Sequence, residues 1–319
     1  MTISHKIELI PNNKAKTYFK KAFGCSRLAY NWGLAKWQEY YKQGVKKTHL
    51  DLKKEFNAIK KEQFPFVYEV SKYATQQPFI HLNLAFNKFF RDLKRGKLSY
   101  PKFKKKKDNQ GSFYLGGDIA KIINKDKAFY LHIPNLGYVK MRENLRFKGK
   151  INSITLSQKA NKYYASFSME VSNDEFHQTH KQILNSYQAL GIDMGLNSFV
   201  SLSNGLNIQA PKPLDKLTRK LKRIQRKLSK KIHPKTKGDT TRKSKNYLKQ
   251  NLRLSKIHQT IKNTRNDFLH KLTTILVRHY AYFGIENLNI QGMMKNHRLA
   301  RAISVVSLCK KSLRVFLIV

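Results

Sequence analysis

Over its first 172 residues the hydrophobic pattern of this chain changes period twice, and that change limits the folds open to it. HKIELIP, near the start, alternates polar and apolar residues up to a proline, which predicts one strand. Apolar residues then recur at helical spacing. Asn12 and Asn13 can cap a first helix with Phe19, Phe23, Tyr30, Trp37 and Tyr41 on one face. A second helix is predicted over 48–61. A third is predicted over 79–94, with Pro78 in its first turn, where a missing N–H costs nothing. After YPKFKKKKD, 100–108, period two returns in SFYLGG, IAKIINKDKAFYLHIP, YVKM, INSITLSQ and KYYASFSMEV, the last two joined by the turn KAN. The expectation is a small antiparallel sheet or barrel that takes in the first strand, with the helical block inserted into it.

SNDEFHQTHKQILNSY, 172–187, is polar and poorly periodic and marks the main domain boundary. Three strand-like runs follow, YQALGID, SFVSLSN and LNIQAP, with tight turns that predict a β-meander. Leu214, Leu217, Leu221, Ile224, Leu228 and Ile232 form one seam, and Leu248, Leu252, Ile257 and Ile261 a second. The two seams predict an antiparallel helical hairpin over 213–279. YAYFGIENLNI, 280–290, has the apolar content of a central parallel strand, and GMMKNHRLARAI of a short basic helix.

Charge narrows the partners. Lys and Arg number 64 against 19 Asp and Glu, a formal +45. So large a self-repulsion favours a polyanionic partner, nucleic acid ahead of an anionic membrane surface. Candidate phosphate contacts are Lys102, Lys104, Lys105, Lys106 and Lys107 in the basic loop, and Arg219, Lys220, Arg223, Arg226 and Lys227 on the first hairpin helix. Cys25 and Cys309 make neither a disulfide framework nor a CxxC zinc pair, which fits a reducing compartment. No apolar run has the length of a signal peptide or a bilayer span, so a cytoplasmic protein is expected.

Two acids stand out because each ends an apolar strand, where an unpaired charge is costly. They are Asp193, in ALGIDMGLNSF, and Glu286, in FGIENLNI. In an RNase H type of fold a meander carries one acid on its central strand, and a parallel neighbour reached through helical sequence brings a second beside it. Mg²⁺ would remove their repulsion, and a pair of such ions could activate water against a phosphodiester.

GIDMGLNSFVSLSNG resembles the first RuvC motif, and FGIENLNIQGMMKNHRLARAIS the second, of the TnpB (OrfB) family of bacterial insertion sequences. FGCSRLAYNWGLAKW, LAFNKFFRDLKRGKLSYPKFKKKKD and ITLSQKANKYYASFSMEV are similar to its N-terminal helix, basic block and last hairpin before RuvC. The resemblance implies an RNA-guided DNA endonuclease that binds a transposon-derived guide RNA and target DNA, and no membrane. It implies a bacterial, nucleoid-associated protein. Residues 1–11 and 100–175 would form a wedge-like β-barrel, 12–99 an inserted helical recognition block, and 186–319 a RuvC-like α/β domain. Asp193 and Glu286 take the places of catalytic metal ligands.

Family members continue into a zinc ribbon of paired CxxC motifs and a third RuvC motif with a further catalytic Asp. Here Cys309 stands alone and no Asp or Glu follows Glu286. The expectation is a truncated, incomplete RuvC domain, arising from a frameshift or premature stop. It would have a weak or lost Mg²⁺ site and no zinc, and it would cut DNA poorly. A guided binder acting as a repressor, and a fragment of a decayed element, are the alternatives.

Overall fold

The computed structural model describes residues 1–106, 110–179, 189–195, 198–209, 211, 213–236, 239–286, 290–293 and 295. The chain divides into two compact units, Met1–Phe176 and His177–Val319.

In the first unit, β1 (Thr2–Ile10) leads into α1 (Asn13–Lys42), α2 (His49–Gln63) and α3 (Tyr73–Leu93). Six strands follow: β2 (Gln110–Gly116), β3 (Ile122–Lys125), β4 (Ala128–Ile133), β5 (Gly137–Met141), β6 (Lys150–Lys159) and β7 (Lys162–Glu170). The sheet order is β2-β6-β7-β1-β5-β4-β3, antiparallel throughout. β1 therefore lies inside the sheet, with Thr2 opposite Glu170 and Leu9 opposite both Tyr163 and Met141. Among the described residues no ladder joins β2 to β3, so the backbone forms an open sheet rather than a hydrogen-bonded barrel.

Local chemistry explains most of the boundaries. Asn12 caps α1, its Oδ1 accepting from the Ala15 amide at 2.8 Å. Thr48 and Asp51 form a reciprocal capping box on α2. IAKIINKDKAFYLHIP is a hairpin of two strands, because Asp126 and Lys127 both take positive φ and turn the chain. Ala160 and Asn161 do the same between β6 and β7. α3 begins six residues earlier than the pattern indicated, and Pro78 lies inside it, buried. Its first turn is held without Pro78, since the Ala74, Thr75 and Gln76 amides donate to the carbonyls of Ser71 and Lys72. The polar boundary segment holds a short helix, α4 (Asn173–Thr179), and Phe176 stacks on Phe147.

α1 serves two cores. Tyr18, Phe19 and Phe23 pack with Ile7, Phe113, Leu156 and Phe167 of the sheet. Further along, Tyr30 and Leu34 pack with Leu52, Phe56, Phe79 and Leu82 of α2 and α3. Burying one such side chain contributes about 1.5–3 kcal/mol. Tyr41, placed by its spacing on the same apolar face, is instead 72% exposed, while the adjacent Tyr40 packs against the helical core.

In the second unit, β8 (Ala189–Asp193), β9 (Val200–Leu202) and β10 (Asn207–Ile208) form the meander. α5 (Pro213–Ser229) and α6 (Lys245–His279) follow, then β11 (Tyr282–Ile285) and α7 (Ile290–Met293). The sheet order is β10-β9-β8-β11, with β11 parallel to β8. β11 is an edge strand among the described strands, not a central one, and Tyr282 on it is 61% exposed. Leu269, Leu272 and Leu276 of α6 pack with Leu190, Ile192 and Val200 of the sheet. The other half of α6 contributes Ile257 and Ile261, which pack with Ile224 of α5. Ile232 lies past the end of this seam and is exposed. Beyond Met293 the predicted basic helix lies, apart from Lys295, outside the described residues, as does Cys309.

Candidate metal site and nucleic-acid interface

Asp193 and Glu286 reach the same end of the second sheet because β8 and β11 run parallel. Their register pairs Gly191 with Gly284 and Ile192 with Ile285. Asp193 and Glu286 are the next residues on the two chains. Neighbouring strands lie about 4.8 Å apart, so the backbone brings the two acids to adjacent positions at this end of the sheet. Both residues are exposed at this end, while Leu190 and Ile192 before Asp193 are buried. β9 closes the other flank, with Ser201 opposite Asp193 and its Oγ 3.0 Å from that of Ser198. Gly191 keeps the strand close to its neighbour: its amide donates to Ser203 Oγ at 3.0 Å, and an added Cβ would lie 3.3 Å from Ser203 Cβ.

This arrangement is an oxygen-only donor pair open to solvent. Such a pair fits a hard divalent cation, which would offset the repulsion between the two acids. Among the described residues no group of three or more His, Cys, Asp or Glu side chains is placed to hold a metal ion.

The first unit carries a cleft of about 1140 Å³. Arg27 of α1, Gln77 and His81 of α3, Tyr100 to Lys105, and Gln158 and Lys159 of β6 line it, and among the described residues no acidic side chain does. Lys102, Lys104 and Lys105, expected at a phosphate contact, all line this cleft. Lys106 is exposed beside them, and Lys107 lies outside the described residues. Lys104 is the most constrained. Asn31 grips its backbone twice, donating to the Lys104 carbonyl at 3.0 Å and accepting from its amide at 2.7 Å. Its ammonium sits 3.8 Å from the centre of the Tyr30 ring. Partial loss of water in the cleft lowers the Lys104 pKa. Burial, and secondarily the Lys104 charge, lowers that of His81. Arg27, Gln77 and Gln158 were not singled out from the sequence; they come from three elements far apart in the chain, and no local motif connects them.

On α5, Arg219, Lys220, Arg223, Arg226 and Lys227 are all exposed, while Leu217, Leu221 and Ile224 turn toward α6. The apolar stripe therefore leaves a basic outer face.

The chain is 30% identical over 310 residues to a Streptomyces pristinaespiralis protein named "Putative RNA-guided DNA endonuclease", an alignment covering 94% of this chain and 70% of that one. The chain belongs to the TnpB (OrfB) family. A family model described as "Probable transposase" matches residues 166–297, which include both acids of this TnpB-family chain. An Escherichia coli K12 relative, "Putative RNA-guided DNA endonuclease InsQ", is 27% identical over 296 residues, 91% of this chain and 67% of the relative. A chain in a cryo-EM structure of a Cas12f1–sgRNA–target DNA complex aligns at 12% identity with a TM-score of 0.32, covering 99% of this chain and 81% of that one. A second family model, described as "Helix-turn-helix domain", matches residues 1–46. In this TnpB-family protein that stretch holds β1 and most of its remainder is one uninterrupted helix, α1, rather than two helices joined by a turn.

Proposed function

We propose that this TnpB-family chain is an RNA-guided DNA-binding protein of the endonuclease class, taking a transposon-derived guide RNA and target DNA as partners. The open sheet of residues 1–11 and 100–175 serves as a wedge-like domain, 12–99 as a helical recognition block, and 186–319 as a RuvC-like domain with its hairpin at 213–279. Lys102, Lys104, Lys105 and the basic face of α5 meet phosphates. The observation that carries the nuclease part is the parallel register of β8 and β11, which leaves Asp193 and Glu286 as neighbours.

Asp193 and Glu286 would hold Mg²⁺. The chemistry the ion supplies there is activation of a water and stabilisation of the departing phosphodiester oxygen. The chain's own part is to hold two oxygen donors in fixed register at the end of a packed sheet. Two carboxylates bind and position Mg²⁺ less well than a fuller set, so the 319-residue polypeptide by itself should bind matched DNA and cut it weakly. Incubation of the purified chain with its guide RNA, Mg²⁺ and a matched target tests this. Robust cutting that disappears in Asp193→Ala would overturn the weak-cleavage reading. Absence of guide-dependent binding would overturn the guided one. No helix among the described residues is long and apolar enough to cross a membrane.

A further inference from the structure

Tyr41 is the residue whose helical spacing marks it for the core and whose position denies it one. Its ring lies against Trp37 in a near-parallel stack, with centroids 5.2 Å apart and planes 9° from each other. Trp37 in turn contacts Phe86 of α3 at 4.0 Å, and Phe86 stacks on Phe90. The row is thus anchored at Phe86, which is buried, and ends at Tyr41, which is 72% exposed. Phe90, at the other end, is 48% exposed.

The surroundings of this aromatic row are cationic. Lys42 ends α1, Lys46 and Lys47 follow it, and Arg91, Lys94 and Arg95 lie at the end of α3; all six are exposed. The acids nearby are already engaged: Glu55 accepts from the Tyr40 hydroxyl at 2.8 Å, and Asp51 caps α2 with Thr48. Glu39 pairs with Lys36 at 2.9 Å, and Asp92 accepts from Ser99 Oγ at 2.7 Å. The row also adjoins the cleft, since Gln38, one turn before Tyr41, donates to the Tyr100 hydroxyl at 3.3 Å, and both residues line the cleft wall.

We infer that the exposed Tyr41 face, backed by Trp37, is a stacking platform for an unpaired base of a single strand leaving the basic cleft. A polyanion with flat apolar faces satisfies both the cationic rim and the bare ring. A duplex satisfies only the rim, because its bases are already stacked. A second copy of this chain would bring its own positive charge against this one. The inference rests on the nucleic-acid reading of the cleft, and the test separates the two.

The probe is a single-stranded oligonucleotide containing 2-aminopurine, as DNA and as RNA, with a fully paired duplex alongside. In the full chain, Tyr41→Ala should weaken single-strand binding roughly fivefold to a hundredfold and relieve the quenching of 2-aminopurine. Tyr41→Phe should keep both, and duplex binding should be unchanged in either variant. The DNA and RNA arms show which strand the platform prefers. Because Tyr41 is exposed, the melting temperature of Tyr41→Ala should match the parent. Lys102→Ala with Lys105→Ala, in the cleft, should weaken single strand and duplex alike. If that cleft variant loses binding while Tyr41→Ala does not, the platform is overturned and the cleft reading stands. If Tyr41→Ala lowers duplex and single-strand binding equally, base stacking is overturned. If neither variant affects binding, both readings fail.

Discussion

A Cβ on Gly117 would lie 1.9 Å from the Ile151 carbonyl oxygen and 2.8 Å from that of Asn152. Both neighbours are backbone, so no rotamer change makes room. Gly117→Ala should therefore destabilise the first unit by about 1–3 kcal/mol, and possession of a parental urea midpoint by that variant would refute the packing argument. His5 makes a pH-dependent case. It is buried in β1, its Nδ1 accepts from the Arg146 amide at 3.4 Å, and Glu143 is 3.8 Å from its Nε2. Burial, and secondarily Arg146, lowers its pKa against the opposing pull of Glu143. The unfolded chain then takes up the proton first. The stability that His5 contributes is complete above its ordinary pKa of about 6.5 and is lost as pH falls from there through the lowered folded value. Urea midpoints at about pH 7.5 and about pH 5.5 should differ less in His5→Gln than in the parent.

At the scale of elements, the contact between α1 and α3 depends on Gly33, whose added Cβ would meet Phe79 at 3.0 Å and Leu82 at 3.2 Å. Gly33→Val should force α3 outward and cost about 1–3 kcal/mol, seen as a lower melting temperature. Retention of the parental melting temperature would show that the helices have slack. From the sequence, Gly33 is only a weak helix former; its reason lies in a partner 46 residues away. The same distinction separates what could be read in advance from what could not. The Asn12 cap and the KAN turn are local, and each was visible in a few letters. The start of α3 was not, because Pro78 suggests a first turn unless the carbonyls of Ser71 and Lys72 are known to hold an earlier one. Asp193 and Glu286 could be singled out because each ends an apolar run. Their adjacency depends on pairing between strands separated by the whole hairpin, which periodicity does not encode and the RNase H pattern supplied as an expectation. The cleft had no such pattern, apart from its lysine loop.

For the whole molecule, a formal charge of +45 makes salt the most informative variable. A protein that neutralises several phosphates releases their counterions, and its affinity falls linearly with salt on logarithmic axes, by about 0.9 per phosphate contacted on duplex DNA. α5 offers Arg219, Arg223 and Arg226, three exposed side chains on a helix whose apolar stripe is packed against α6, so replacing them leaves that packing intact. If the basic face meets phosphates, Arg219→Ala, Arg223→Ala and Arg226→Ala together should reduce the salt slope by about 2–3. The loss of affinity should be the same for matched and unrelated duplexes, because phosphates carry no sequence information. A parental slope in the triple variant would show that the basic face of α5 is merely solvated. A loss confined to one sequence would mean that these arginines read bases instead.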